Sequence, residues 1–222
     1  MRVISIKQVA IAVLSLSLYA ACTTTKTEIW KLNRLELIGG HKTTVWGNPS
    51  IINTEEGGQA IEFDGIDDGL LLETNPLAGA DRFTIEVIYK PYPGYPQNRE
   101  QRFLHIQDPQ NDNRRILMEL RLNDRDQWYP DLFIRTDSAS LTLIDSTKTF
   151  PVGAWARLRL IYQEGQLKGY VNGEEVLSGE IQYMPISPAA KTSIGVRMNQ
   201  VSWFRGAIQS VSITNQALEP SP

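Results

Sequence analysis

Cysteine is almost missing from this chain: its 222 residues include a single one, Cys22. One thiol closes no intrachain disulfide, so stability has to come from a buried core alone. Blocks of one charge sign are missing too. Twenty-two Lys and Arg are set against 25 Asp and Glu, for a net charge of -3, and the two signs alternate along the chain. Without a basic stripe there is no electrostatic footprint for nucleic acid, and that partner is excluded. Long apolar runs are also lacking. The stretch from Val9 to Leu18 falls short of the about 20 residues that a membrane-spanning helix needs. No segment carries a helical apolar stripe, and no internal repeat or low-complexity tract interrupts the chain.

What is present begins at the N-terminus. Arg2 and Lys7 precede the apolar stretch, and Ala20 and Ala21 stand directly before Cys22, the order of a secretory signal. Cys22 occupies the place of the acylated residue in a bacterial lipoprotein signal, although Tyr19 stands where a leucine is usual. Simple cleavage near Ala21 is the alternative. The expected organisation is a signal over residues 1–21, a polar tether over 22–29 and one domain over 30–218. Thr23 is not the aspartate associated with inner-membrane retention. The expectation is therefore an outer-membrane lipoprotein, held to the membrane by its lipid alone and facing the periplasm or the cell surface.

From Trp30 onward short runs of period two alternate with Gly, Pro, Asn and Asp clusters, which is an all-β pattern. Phe83, Ile85, Val87 and Tyr89 define one apolar face; Ile116, Met118, Leu120 and Leu122 define another. Asn172-Gly173 is a two-residue hairpin signal. The out-of-step apolar positions Ile208, Val211 and Ile213 predict a bulge near Gln209 and Ser210. Asp64-Gly65 supplies turn chemistry between Ile61–Phe63 and the strand that opens after Asp67 and Asp68. About a dozen short strands in one domain predict a two-sheet sandwich.

The segment Gly58 to Gly65 (GQAIEFDG), the strand Phe83 to Val87, Trp155 with Tyr170-Val171-Asn172-Gly173, and the closing Phe204 to Ile208 together resemble the laminin-G-like domains of the concanavalin A-like lectin and glucanase superfamily. The resemblance spans about Trp30 to Leu218. It implies a two-sheet antiparallel jelly-roll sandwich. That scaffold carries lectins, hydrolases and lyases alike, so function must be argued from a site.

A strand with one buried face presents its other side chains about 7 Å apart, a scale suited to successive groups on a sugar. His105 and Gln107 share the polar face of one strand; Arg115, Glu119, Arg121 and Asn123 share that of the next. Paired through the turn after Asp108, they would form one cluster on the concave sheet. Trp128 and Tyr129 are candidates for an aromatic platform, and Arg135, Arg197, Asn199 and Trp203 for further contacts. Arginine offers bidentate donors to a carboxylate, which suits an acidic sugar in a polysaccharide or glycoconjugate. The same residues also fit a solvated face laced with Glu-Arg pairs, and the tryptophans fit packing, Trp155 above all.

Three functions remain open: a noncatalytic lectin-like module, an enzyme on an acidic glycan, and a structural or protein-binding envelope module. The Glu-x-Asp-x-x-Glu strand of laminarinase-type glucanases, which sets two carboxylates about 5 Å apart for retaining hydrolysis, is absent. Similarity to jelly-roll alginate lyases is local, in Glu119-Leu120-Arg121 and His105-Ile106-Gln107, with the order reversed. An enzyme would use His105, Arg121 and Tyr170. No cofactor is required, although Asp64, Asp67 and Asp68 are weak candidates for calcium, a metal that laminin-G-like domains often bind; turn chemistry explains them equally.

Overall fold

A computed structural model describes residues 25–220; the signal, Cys22 and the start of the tether lie outside the described residues. Seventeen strands and no helix occur among them. In chain order the first six are β1 (Thr27–Lys31), β2 (Leu37–Ile38), β3 (His41–Trp46), β4 (Ser50–Asn53), β5 (Gln59–Asp64) and β6 (Gly69–Leu72). Then come β7 (Phe83–Pro91), β8 (Glu100–Asp108), β9 (Asn111–Leu122), β10 (Gln127–Arg135), β11 (Ser140–Ile144) and β12 (Phe150–Pro151). The chain closes with β13 (Ala156–Gln163), β14 (Gln166–Val171), β15 (Glu174–Glu180), β16 (Lys191–Ile194) and β17 (Arg205–Thr214).

Two antiparallel sheets result. The first runs β15-β14-β13-β7-β17-β5-β4, with β1 also on β17; the second runs β11-β10-β9-β8-β16-β6-β3-β2, with β12 also on β10. This is a jelly-roll sandwich. Period two in the sequence becomes inside and outside in space. Phe83, Ile85, Val87 and Tyr89 of the first sheet meet Ile116, Met118, Leu120 and Leu122 of the second in one buried core. At its centre Tyr89 stacks on Phe103 with ring centroids 4.7 Å apart and leans on Trp128 at 5.3 Å.

Asn172 and Gly173, both at positive φ, form the two-residue turn between Val171 and Glu174. The register of β17 shifts between Ile208 and Ser210. That bulge has a use. Before it β17 pairs with β5, after it with β1, so one strand edge serves two partners. Two expectations change. Residues 27–29 do not belong to a free tether, because Thr27 to Lys31 pair with β17 and carry Trp30 into the core. The acidic turn after Asp64 does not close a hairpin either: β5 belongs to the first sheet and β6 to the second, so the turn carries the chain across the sandwich.

Candidate saccharide-binding face

β8 and β9 pair through the short turn after Asp108, with His105 opposite Leu117, Gln107 opposite Arg115, Arg102 opposite Glu119 and Glu100 opposite Arg121. On the far side of β9, β10 sets Tyr129 against Arg121, Asp131 against Glu119, Phe133 against Leu117 and Arg135 against Arg115. Directly opposed residues of an antiparallel pair share a face. All of these therefore stand on the outer side of the second sheet, turned from the core. A loop after β16 returns over this face. Gly195 starts it at φ +81°, and a Cβ there would sit 2.4 Å from the Phe63 ring, so a side chain would block the path. The loop delivers Arg197 to the face, and the Met198 N–H donates to His105 Nδ1 at 3.0 Å.

The centre of the face is a hollow of about 150 Å³ lined by Arg102, Arg115, Leu117, Glu119, Arg121, Asp131, Phe133, Thr142 and Arg197. It has room for about five waters. Four guanidinium groups meet two carboxylates there, and the pairing is uneven. Arg121 holds Asp131 at 2.7 Å and also bridges to Glu100. Arg102 Nε lies 2.8 Å from Glu119 Oε2. That contact is electrostatic only, since neither atom is aligned for a hydrogen bond. Arg115 caps Phe133, its guanidinium carbon 5.2 Å from the ring centre, a cation–π contact. Among the described residues no carboxylate bridges Arg115, Arg135 or Arg197.

Electrostatics follow from this packing. Glu119 is 5% exposed; burial first, and then Asp131, push its carboxyl up to about 7, against the pull of Arg102, Arg121 and Arg197. His105 is fully buried and is driven down to about 3 by burial first and then by Arg197, Arg115 and Arg102. Its imidazole is neutral. With Nδ1 accepting from Met198, the proton sits on Nε2, which has no partner. Arg115 Nε is likewise buried and unpartnered. Of the seven buried side-chain polar atoms without a hydrogen bond among the described residues, four lie on this face: Arg102 Nε and Glu119 Oε2 hold each other as an ion pair, which leaves His105 Nε2 and Arg115 Nε with no partner. Buried polar groups are normally satisfied, so such a concentration marks a place where something else completes the bonding.

The sequence-predicted residues divide. Glu119, Arg121 and Arg197 line the hollow, with His105 buried on the same face. Gln107 stands one pair away and donates to Asp112 at 2.6 Å; Arg135 ends the neighbouring strand opposite Arg115. Asn199 is exposed in the loop, and Trp203 packs edge-on against Trp46 at 6.4 Å, outside the hollow. Trp128 is no platform. It begins the inner face of β10, fully buried against Tyr89 and Phe150, and Tyr129 is the aromatic that faces outward.

The catalytic trio of His105, Arg121 and Tyr170 does not assemble. Tyr170 stands on β14 in the other sheet, on its outer side opposite Arg159, where its hydroxyl bonds Glu175 and Glu219. Burial and those two carboxylates raise its pKa, which opposes use as a proton carrier. His105, neutral and committed at Nδ1, is poorly placed to take a proton.

Asp64, Asp67 and Asp68 do converge, offering oxygens within 4.8 Å of one another. Calcium needs six to eight oxygen ligands, and three of the six carboxylate oxygens already accept backbone N–H groups. Asp64 Oδ1 accepts the N–H groups of Ile66, Asp67 and Asp68, while Asp68 Oδ1 and Oδ2 accept those of Asn48 and Asp64. The cluster does not fit calcium as it stands.

Sequence reasoning missed Arg102, Asp131 and Phe133. A bulge between Arg102 and Leu104 puts Phe103 and Leu104 both inward, which reverses the parity that His105 and Gln107 suggest. Pro130 disguises Asp131, because a proline reads as a strand breaker. In the fold it falls between the stretch of β10 that pairs with β12 and the stretch that pairs with β11, a gap where a missing N–H costs little.

Two antiparallel layers that close on one core define a jelly-roll sandwich. A family described as the concanavalin A-like lectin/glucanases superfamily matches residues 64–221, and the chain belongs to it. No curated protein matches the chain by sequence. Among solved structures, domain 4 of AbnA, a GH43 extracellular arabinanase from Geobacillus stearothermophilus in complex with arabinotriose, is similar at a TM-score of 0.59 and 18% identity, over 88% of this chain and 95% of that one. The botulinum neurotoxin serotype D binding domain gives 0.61 and 14%, over 86% of this chain and 47% of that one, so this chain spans about half its length. A heptameric SAP-like pentraxin from Limulus polyphemus gives 0.52 and 11%, over 86% and 77%. At these identities the likeness is one of fold.

Proposed function

We propose that this protein is a noncatalytic glycan-binding module whose cationic outer face on the second sheet holds an acidic saccharide. One observation carries the reading: Arg115 and Arg197 face a hollow without carboxylate partners, beside buried donors that have no acceptor. A uronate carboxylate would accept from both guanidinium groups, and charge-assisted bonds of this kind contribute more than neutral ones. Phe133, which lines the hollow, supplies apolar surface for a sugar ring. The arabinotriose complex of a related fold supports carbohydrate as the ligand class.

A glycan array tests this with the wild type and an Arg115→Ala/Arg197→Ala variant. Retention of acidic glycans by the wild type alone is expected. Wild type that retains no acidic glycan, or a variant that retains them equally, overturns the assignment. The same reading places the module in the cell envelope as a lipoprotein, on residues 2–22 of the sequence. Cys22→Ser then releases the protein from the membrane fraction; a variant that stays membrane-bound removes the anchor.

A further inference from the structure

We infer that the molecule has a second saccharide site, for the end of an uncharged oligosaccharide, in the cleft between the Asp64–Asp68 turn and the segment from Tyr92 to Asn98. The cleft measures about 1020 Å³ and is the larger of the two spaces. Its size is that of a small-molecule site. It opens on the outer side of the first sheet, where β5 and β17 place Asp64 opposite Arg205.

The chemistry of its walls selects the ligand. Tyr95 is 41% exposed and Tyr92 half-buried, so both offer ring surface. Tyr92 is fixed by donating to Glu62 Oε1 at 2.8 Å, and burial together with Glu62 raises its phenol to about 12, so it stays a neutral donor. The carboxylates keep their negative charge but have few lone pairs to spare. Glu62 also accepts from Ser50 at 3.5 Å, both oxygens of Asp68 hold backbone N–H groups, and Asp64 Oδ1 holds three. An anion would meet these groups at close range, with only Arg205 to offset them. Hydroxyls meet no such obstacle.

Free hydrogen-bonding capacity remains around the cleft. Among the described residues the side chains of Asn48 and Gln97 make no bond, Asp64 Oδ2 has no donor, and Arg205, though opposite Asp64, forms no ion pair. A primary amide presents a donor and an acceptor side by side, the match for neighbouring sugar hydroxyls. The wall is built to stay close. Asn98 Nδ2 donates to the Gly65 carbonyl at 3.3 Å, and a Cβ on Gly65, which has φ +79°, would lie 2.4 Å from that nitrogen. The two loops are thereby held together at a fixed gap.

The inference does not rest on the arginine-lined face, and its test separates the two. Backbone amide shifts are followed by NMR while arabinotriose, cellotriose, xylotriose and maltotriose are added in turn to the full-length protein. At least one should give saturable shifts at Gly65 and along Tyr92 to Asn98. Tyr95→Ala/Asn48→Ala should weaken it about tenfold, the loss expected on truncating one aromatic contact and one polar one. Arg115→Ala/Arg197→Ala should leave it unchanged. The inference fails if none of the four shifts these amides up to about 10 mM, if the shifts fall on β8–β10 instead, or if the Tyr95→Ala/Asn48→Ala variant binds as the wild type does. Calcium alone moving the Asp64–Asp68 amides, with no response to any trisaccharide, would also overturn it.

Discussion

The two outer faces of the sandwich are built from the same alternation and solve the same problem differently. On the first sheet the outward charges close on one another. Glu86 is shared by Arg159 at 2.6 Å and Arg157 at 3.3 Å, Lys168 reaches Glu175 at 3.2 Å, and Tyr170 bonds Glu175 and Glu219. On the second sheet, among the described residues, Arg115, Arg135 and Arg197 find no carboxylate, and the buried donors His105 Nε2 and Arg115 Nε are left over. Across β7, β13, β14 and β15 the first face is complete in itself. The second is electrostatically incomplete, and a folded protein keeps such an arrangement at a cost in stability that a ligand can offset.

The widest test of that contrast is quantitative binding to uronate oligosaccharides by calorimetry. Charge-assisted hydrogen bonds contribute roughly 1.5–3 kcal/mol each. Losing two of them in Arg115→Ala/Arg197→Ala should weaken binding by about a hundredfold or more. The mirror-image change on the other sheet, Arg157→Ala/Arg159→Ala, should leave affinity within about twofold. Equal losses from both variants would erase the distinction between the faces.

The next effect is smaller and depends on pH. Glu119 ionises at about 7 on a face where Arg102, Arg121 and Arg197 oppose Asp131 and Glu100. Above that pH its charge repels a carboxylate ligand; below it the protonated acid becomes a donor. Affinity for the uronate should therefore rise, by about tenfold, as pH falls from 8 to 6. In Glu119→Gln the profile should be flat across that range. A wild-type profile that is flat or runs the other way contradicts this placement of the charge.

Much of the fold was legible in the sequence, because period two survives wherever a strand buries one face. Phe83 to Tyr89 and Ile116 to Leu122 announce their inner sides directly, and Asn172-Gly173 announces its turn. The site was half legible. His105, Glu119 and Arg121 lie on regular stretches and share a face as the alternation requires. Arg102 and Asp131 do not, since a bulge and a mid-strand proline break the pattern that would reveal them. Trp128 and Tyr170 were misplaced for another reason. Residue type alone does not say which of two sheets, or which of two sides, a strand belongs to; Trp128 lies inward and Tyr170 on the opposite layer.

Stability gives a third comparison, between two buried groups with opposite sign. His105 ionises at about 3 in the fold against 6.5 in an unfolded chain. The unfolded state binds the extra proton, so stability falls as pH drops from 6.5 towards 3. Glu119 behaves inversely: the folded state keeps a proton between 4.5 and about 7, so its contribution is lost as pH rises through that range. Thermal melts should show His105→Gln flattening the acid side, with Gln still able to accept from the Met198 N–H. Glu119→Gln should raise the melting temperature at pH 8 and change it little at pH 4. An acid slope that is the same in wild type and His105→Gln would mean that the imidazole is not held neutral.

The smallest effect belongs to the face that is already complete. Glu86 on β7 anchors both Arg157 and Arg159, and a count of ion pairs would rank it among the main supports of the fold. Exposure argues otherwise. Arg157 is about half exposed and its pair gains little in water, roughly 0–1 kcal/mol, so only the better buried Arg159 pair, at 19% and 14% exposure, has more to lose. Glu86→Gln keeps the shape and one acceptor for Arg159, so its cost by urea denaturation should stay below about 1 kcal/mol and shrink further in salt. A loss of several kcal/mol, insensitive to salt, would show that this surface is held together by its charges, and the contrast between a finished face and an unfinished one would have to be redrawn.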